Sequence, residues 1–199
     1  MGFSTLLDIL GSTIVGGLLL MILLRLNNAA VQNTYTYGGD LIVQQDLVSV
    51  VDLIEYDFRK IGYCKDWTKI PDPSKAIIAA GTNSITYLTD DNNDGIVDTM
   101  HYYTGPVSEL SQTPNPSDRL LYRVLNSDQP KSANMGITQF RMTYFDALGN
   151  KLNFPITVPS AIYTMQIDIT VENSSAYDQQ YSSAFWRQIR LAARNLKNR

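Results

Sequence analysis

The stretch FSTLLDILGSTIVGGLLLMILL, positions 3–24, decides how this chain is built: it is apolar almost throughout, and Asp8 is its only charge. As a helix rising about 1.5 Å per residue it spans roughly 33 Å, close to the ~30 Å hydrocarbon core of a bilayer. A segment of this kind requires a non-aqueous surrounding, either lipid or other helices. The first basic residue, Arg25, stands at its far end, so the flanking charge says little about orientation. A secretory signal opens with Lys or Arg and ends in a small-x-small site. Here Met1-Gly2 leads straight into the apolar run, and Asn28/Ala30 is the only such pair downstream.

Asp8 carries information of its own. A carboxylate in a membrane-spanning helix costs several kcal/mol unless a partner neutralises it, so it marks either a functional pairing or a side chain snorkelling to the interface.

Three segments follow from composition and patterning: an anchor at 1–30, a polar break with an amphipathic helix at 31–62, and a head at 63–199. Asn27 to Asp40 is polar and ends in Gly38-Gly39-Asp40, which reads as a loosened turn with Asp40 capping a new helix. Val43, Leu47, Val50, Ile54, Phe58 and Ile61 then recur at three-to-four spacing opposite Asp46, Ser49, Asp52 and Arg59. That pattern gives an amphipathic helix stopping near Gly62, with Glu55 and Arg59 placed as an i,i+4 ion pair.

Beyond Tyr63, alternating β-branched and aromatic residues between turn clusters predict strands at Ser84–Thr89, Thr99–Thr104, Arg119–Leu125, Ile137–Phe145, Lys151–Ile156, Ile162–Glu172 and Ala184–Arg194. Strands following strands imply an antiparallel sheet. Asp146 to Asn150 reads as a hairpin turn with Gly149 at positive φ. The fold class expected is α+β: a long hydrophobic helix and an amphipathic helix packed on an antiparallel sheet.

The net charge of −3 conceals an asymmetry. Arg187, Arg190, Arg194, Lys197 and Arg199 form a C-terminal run without an acid; without them, eleven basic residues face nineteen acidic ones, net −8. Such a tail suits contact with an acidic body of a neighbouring subunit, or a solvated strand face. No nucleic-acid-binding motif accompanies it. A single cysteine, Cys64, precludes an internal disulfide.

Oxygen-bearing residues alternate through the acidic turn at 90–98, where Asp90, Asn92, Asp94, the Ile96 carbonyl and Asp98 follow the grammar of a calcium loop. Position twelve is His101 rather than a bidentate Glu, and strands replace the flanking helices, so an ion-free tight turn at Asp94-Gly95 is the competing reading. Catalytic motifs are missing from the sequence: no phosphate loop, no His-Glu-x-x-His and no nucleophile elbow accompany the lone His101. Twelve tyrosines supply either core and strand formers or a contact surface for other subunits.

Several of these pieces together resemble one family. Gly2-Phe3-Ser4-Thr5-Leu6-Leu7-Asp8 resembles the N-terminus of type IV pilin-like proteins, in which a leader ending in Gly is cut before a Phe-type residue. The acid falls sixth after Gly2 here, one place beyond the family's fifth. The run Val51 to Tyr63 looks like the "Asp-aromatic-Arg, Gly-Tyr" segment of PilW-type minor pilins and J-type pseudopilins of type II secretion. Ser84-Ile85-Thr86-Tyr87, Leu121-Tyr122-Arg123, Phe140 to Tyr144 and the terminal Arg190 to Leu196 follow in matching order. The resemblance implies processing between Gly2 and Phe3 by a prepilin peptidase. It also implies a charge on Asp8 that pairs with a neighbouring subunit's new N-terminal amine. Its partners would be other pilin-like subunits and the bacterial inner membrane, with the head outside the cytoplasm and a structural role in a pilus or secretion filament. A membrane-anchored accessory subunit of another envelope complex, and a calcium-dependent adhesin, are the alternatives.

Overall fold

In a computed structural model that describes residues 2–174 and 181–191, helix α1 runs without interruption from Gly2 to Arg59. At 58 residues it is about 87 Å long. The break expected over Asn27 to Asp40 is absent, so the anchor and the amphipathic segment are one rod. The glycines that suggested a turn serve the helix differently. Gly38 has open space around it, whereas Gly39 is buried where the chain around Asn173 and Ser182 comes close. A Cβ at Gly39 would stand 2.8 Å from Asn173 Nδ2 and 3.1 Å from Ser182 Oγ. Gly39 thus permits close packing without bending the backbone.

Seven strands follow: β1 (Ile77–Ala80), β2 (Ser84–Thr89), β3 (Asp98–Thr104), β4 (Arg119–Leu125), β5 (Lys131–Phe145), β6 (Thr164–Glu172) and β7 (Ser183–Leu191). They form one antiparallel meander in chain order. The sheet curls, so that the β1–β2 turn reaches β5: Met142 N–H donates to Thr82 O at 2.7 Å, and the Tyr144 hydroxyl to Gly81 O at 3.2 Å. The second half of α1 lies against β5, β6 and β7.

The predicted apolar stripe is the one that packs. Val43, Val50, Ile54 and Phe58 are buried, Leu47 is partly so, and Ile61 is buried just past the helix end. Strand alternation delivers the other side: Ile85 and Tyr87, Met100 and Tyr102, Met142 and Tyr144, Ile167 and Ile169 all face inward. Phe58 meets the edges of both Tyr87 and Tyr102, with centroids 5.7 and 5.4 Å away. The helix stops where Gly62 takes φ +74 and its N–H turns to Leu88 O at 2.8 Å.

Two sheet expectations require correction. Lys151–Ile156 is no strand: Lys151 makes one isolated bridge to Phe145, Leu152 N–H returns to Tyr144 O, and Pro155 has no N–H to extend the ladder. The Gly149 turn itself forms as expected, with φ +84 and Asp146 N–H bonded to Asn150 O at 3.0 Å. Strand β1 was not foreseen, because Ile77 to Ala80 is a short unalternating apolar run.

Candidate functional site

Two regions bear on function: the part of α1 that leaves the fold, and the acidic turn with the polar latch beneath it.

Every residue from Gly2 to Gly38 is exposed, so about 55 Å of helix projects from the head. Its apolar side chains face all round; Leu18, Leu19 and Leu20 are each more than half exposed, as are Leu23 and Leu24. A helix apolar on every face has no wet side and belongs inside lipid or among other helices. It is long and apolar enough to cross a membrane. Three of its hydroxyls turn back into the helix: Thr5 bonds Gly2 O, and both Ser12 and Thr13 bond Ile9 O. Asp8 lies on the projecting part, and no partner for it occurs among the described residues. Gly2 and Phe3 form the tip of the rod, with Phe3 80% exposed.

The acidic turn joins β2 to β3, and hydrogen bonds account for its shape. Asp90 is fully buried and gathers the loop: it accepts from Lys65 N and Gly95 N at 3.0 Å and from Asp94 N at 3.1 Å. Burial pushes its pKa up, but these N–H donors prevail and hold the carboxyl below the ordinary carboxylate range. Asn92 Oδ1 accepts from Asp94 N. Asp94 accepts from Ile96 N at 2.7 Å and from the Asn92 amide at 2.9 Å. Asp98 accepts from Asp91 N at 3.0 Å and from the Asn126 amide at 2.8 Å. Gly95 takes φ +83, the conformation a tight turn needs at that place. The candidate calcium ligands Asp90, Asn92, Asp94 and Asp98 are thus each turned to an N–H donor, while Ile96 stands exposed at the tip. Among the described residues, no set of three or more His, Cys, Asp or Glu side chains converges as a metal site would.

Beneath the turn lies a group that the sequence reading missed. Asp57, on the buried side of α1 and only 2% exposed, accepts from the Tyr102 hydroxyl at 2.5 Å and from Arg123 Nε at 2.6 Å. Arg123 Nη2 reaches on to Asp91 at 2.8 Å. One guanidinium from β4 therefore joins the end of α1 to the acidic turn. Burial, reinforced by the Asp57 charge, pushes the Tyr102 phenol well up, so it remains a donor across the accessible pH range. The signal was present: Asp57 falls three after Ile54 and four before Ile61, on the apolar stripe, where a charge requires a partner.

Cys64 is buried, with its Sγ 3.8 Å from Asp90, and burial pushes its thiol up. His101 stacks on Tyr103, which stacks on Tyr122, with both centroid distances 4.8 Å. The tyrosines divide between roles: Tyr87, Tyr102 and Tyr144 fill the core, while Tyr35, Tyr37 and Tyr56 stand exposed on α1. From the C-terminal basic run, Arg187 is described and pairs with Asp168 at 2.5 Å. Arg194, Lys197 and Arg199 lie outside the described residues, as does the side chain of Arg190.

An apolar N-terminal rod packed through its second half on a curled antiparallel sheet is compatible with a pilin-like fold. Comparison of the chain with protein-family models, with curated proteins and with solved structures gives no match.

Proposed function

We propose that the protein is a structural subunit of a filament of the pilin or pseudopilin kind. It would be held in the bacterial inner membrane by its N-terminal helix before assembly, and by helix–helix packing afterwards, with its head outside the cytoplasm. The observation that carries this reading is the 2–38 segment of α1: a rigid helix, apolar on all faces through Leu24, with nothing of its own head to cover it. Copies or relatives that bundle these rods bury them through close van der Waals packing. Asp8, unpartnered among the described residues, meets a cation on the adjacent subunit. Where a prepilin peptidase cuts between Gly2 and Phe3, the new amine supplies that cation, as the resemblance to minor pilins and pseudopilins implies.

Electron microscopy and immunoblotting of sheared surface material, with mass spectrometry of the mature N-terminus, test the proposal. The subunit is expected in the filament fraction beginning at Phe3, and Asp8→Ala is expected to leave it in the membrane fraction. Full retention in membranes with Met1-Gly2 intact, unaffected by Asp8→Ala, would instead identify a permanently anchored accessory subunit.

A further inference from the structure

A polar groove of about 540 Å3 opens at the end of the β2–β3 hairpin opposite the acidic turn, lined by Asn83, Thr104, Arg119, Thr138, Gln139 and Arg141 among others. No acid lines it. Arg119 is steadied by one bond from Nη1 to Gly105 O at 3.2 Å, which leaves most of its donors free to a ligand. Arg141 is exposed and has no ion pair among the described residues. Its cross-strand neighbour Asp168 is already bonded to Arg187, and Glu109, which packs near Gly105, is held by the Tyr122 hydroxyl. Two arginines thus face a groove edged with hydroxyls and amides.

The same hairpin carries the complementary charge at its other end. Ser84 pairs with Tyr103 beside the groove, and Thr89 pairs with Asp98 beside the acidic turn, so about 20 Å of strand separates the two. At the tip Asn92, Asn93 and Asp94 are exposed, and the Asp94 carboxylate is fixed in place by Ile96 N and the Asn92 amide. A preset carboxylate opposite two guanidinium groups is the pairing that arginine recognises best.

We propose that the Arg119/Arg141 groove receives the Asp94 turn of a second copy of this chain. The inference rests on the filament reading above and names the contact between successive heads. Because donor and acceptor surfaces stand at opposite ends of one rigid hairpin, the contact is heterologous. Such a contact propagates copies in a row rather than closing a two-fold dimer. An exposed ion pair is weak alone. Tethering by the apolar helices raises the effective concentration of heads enough for a weak contact to set their register.

Cross-linking of the full chain in native membranes tests it. Differently tagged copies carrying Asn93→Cys and Gln139→Cys are oxidised together, with buried Cys64 left in place, and a parallel pair carrying Leu19→Cys reports helix bundling. A disulfide between the two tags is expected at the head. Its yield should fall at least tenfold with Asp94→Arg or Arg141→Glu alone and return when both are reversed in every copy. Head yields that ignore the single reversals, or fail to return in the double variant, overturn the proposal. So does binding of inorganic sulfate to the groove with no head cross-link. Leu19→Cys cross-links that persist while head cross-links are missing overturn this contact alone; loss of both overturns the filament reading as well.

Discussion

Replacing Asp57 with Ala removes the acceptor that binds both the Tyr102 hydroxyl and Arg123 Nε. Tyr102 is fully buried and is left with a donor facing a hole; Arg123 keeps Asp91 at 2.8 Å and is 20% exposed at its side chain. Breaking a buried charge pair by deleting one partner costs about 3–5 kcal/mol. The surviving Asp91 bond and the partial exposure of Arg123 place this case at the lower end, about 3 kcal/mol. For a chain of this size that corresponds to a fall in melting temperature of roughly 6–12 °C. Thermal and urea denaturation of the full chain in detergent, followed by near-ultraviolet circular dichroism of the tyrosines, reads it. The double variant Asp57→Ala/Arg123→Met should be less destabilised than the sum of the single variants, since the orphaned guanidinium is gone. An Asp57→Ala protein within about 1 kcal/mol of wild type, below the handicap of any orphaned buried charge, would show that the latch does not join helix to head.

Three further outcomes are expected. Gly38→Ala should stabilise α1 by about 0.5–1 kcal/mol because the site is open, whereas Gly39→Val should cost about 1–3 kcal/mol against Asn173 and Ser182; melting curves of the two variants check the contrast. Native Asp90 binds its proton less readily than an ordinary carboxyl of 3.8, so its contribution is present above that value and lost as pH falls through the lower folded value. Acid titration should therefore show wild type losing stability more steeply than Asp90→Asn in that window. Calcium or a chelator should leave the melting temperature unchanged, because the loop oxygens already have N–H donors; a site filled at a hundred times its dissociation constant would instead add about 2.7 kcal/mol.

How far the sequence led can be traced residue by residue. Periodicity found the packed face of α1 because Val43, Val50, Ile54 and Phe58 obey the helical repeat, and alternation found β2 and β4 to the residue. It failed at Gly38-Gly39 because a glycine admitted for close approach and one admitted for a turn look the same in a string; only the chain around Asn173 and Ser182 tells them apart. Lys151–Ile156 had strand composition, yet its pairing ends after one bridge to Phe145, and Pro155 has no N–H to extend it. At the acidic turn, alternate oxygens in the sequence suit a calcium loop and an ion-free turn alike. Most of their donors are N–H groups of the loop itself, and the Lys65 N–H and the Asn126 side-chain amide, which lie far away in sequence, complete the set. The latch was missed for the same reason: Asp57, Tyr102 and Arg123 meet only after three elements have packed.

Labelling each position from Phe3 to Leu24 in turn with a spin label, in membranes or sheared filaments, and measuring its accessibility to a water-soluble relaxant tests the whole interpretation. Uniform protection from water along the rod, with accessible labels at Leu41 and Val48 on the solvent side of α1, is the predicted result. A water-soluble monomer whose labels at Phe3 to Leu24 are either fully hydrated or buried against its own head would contradict it.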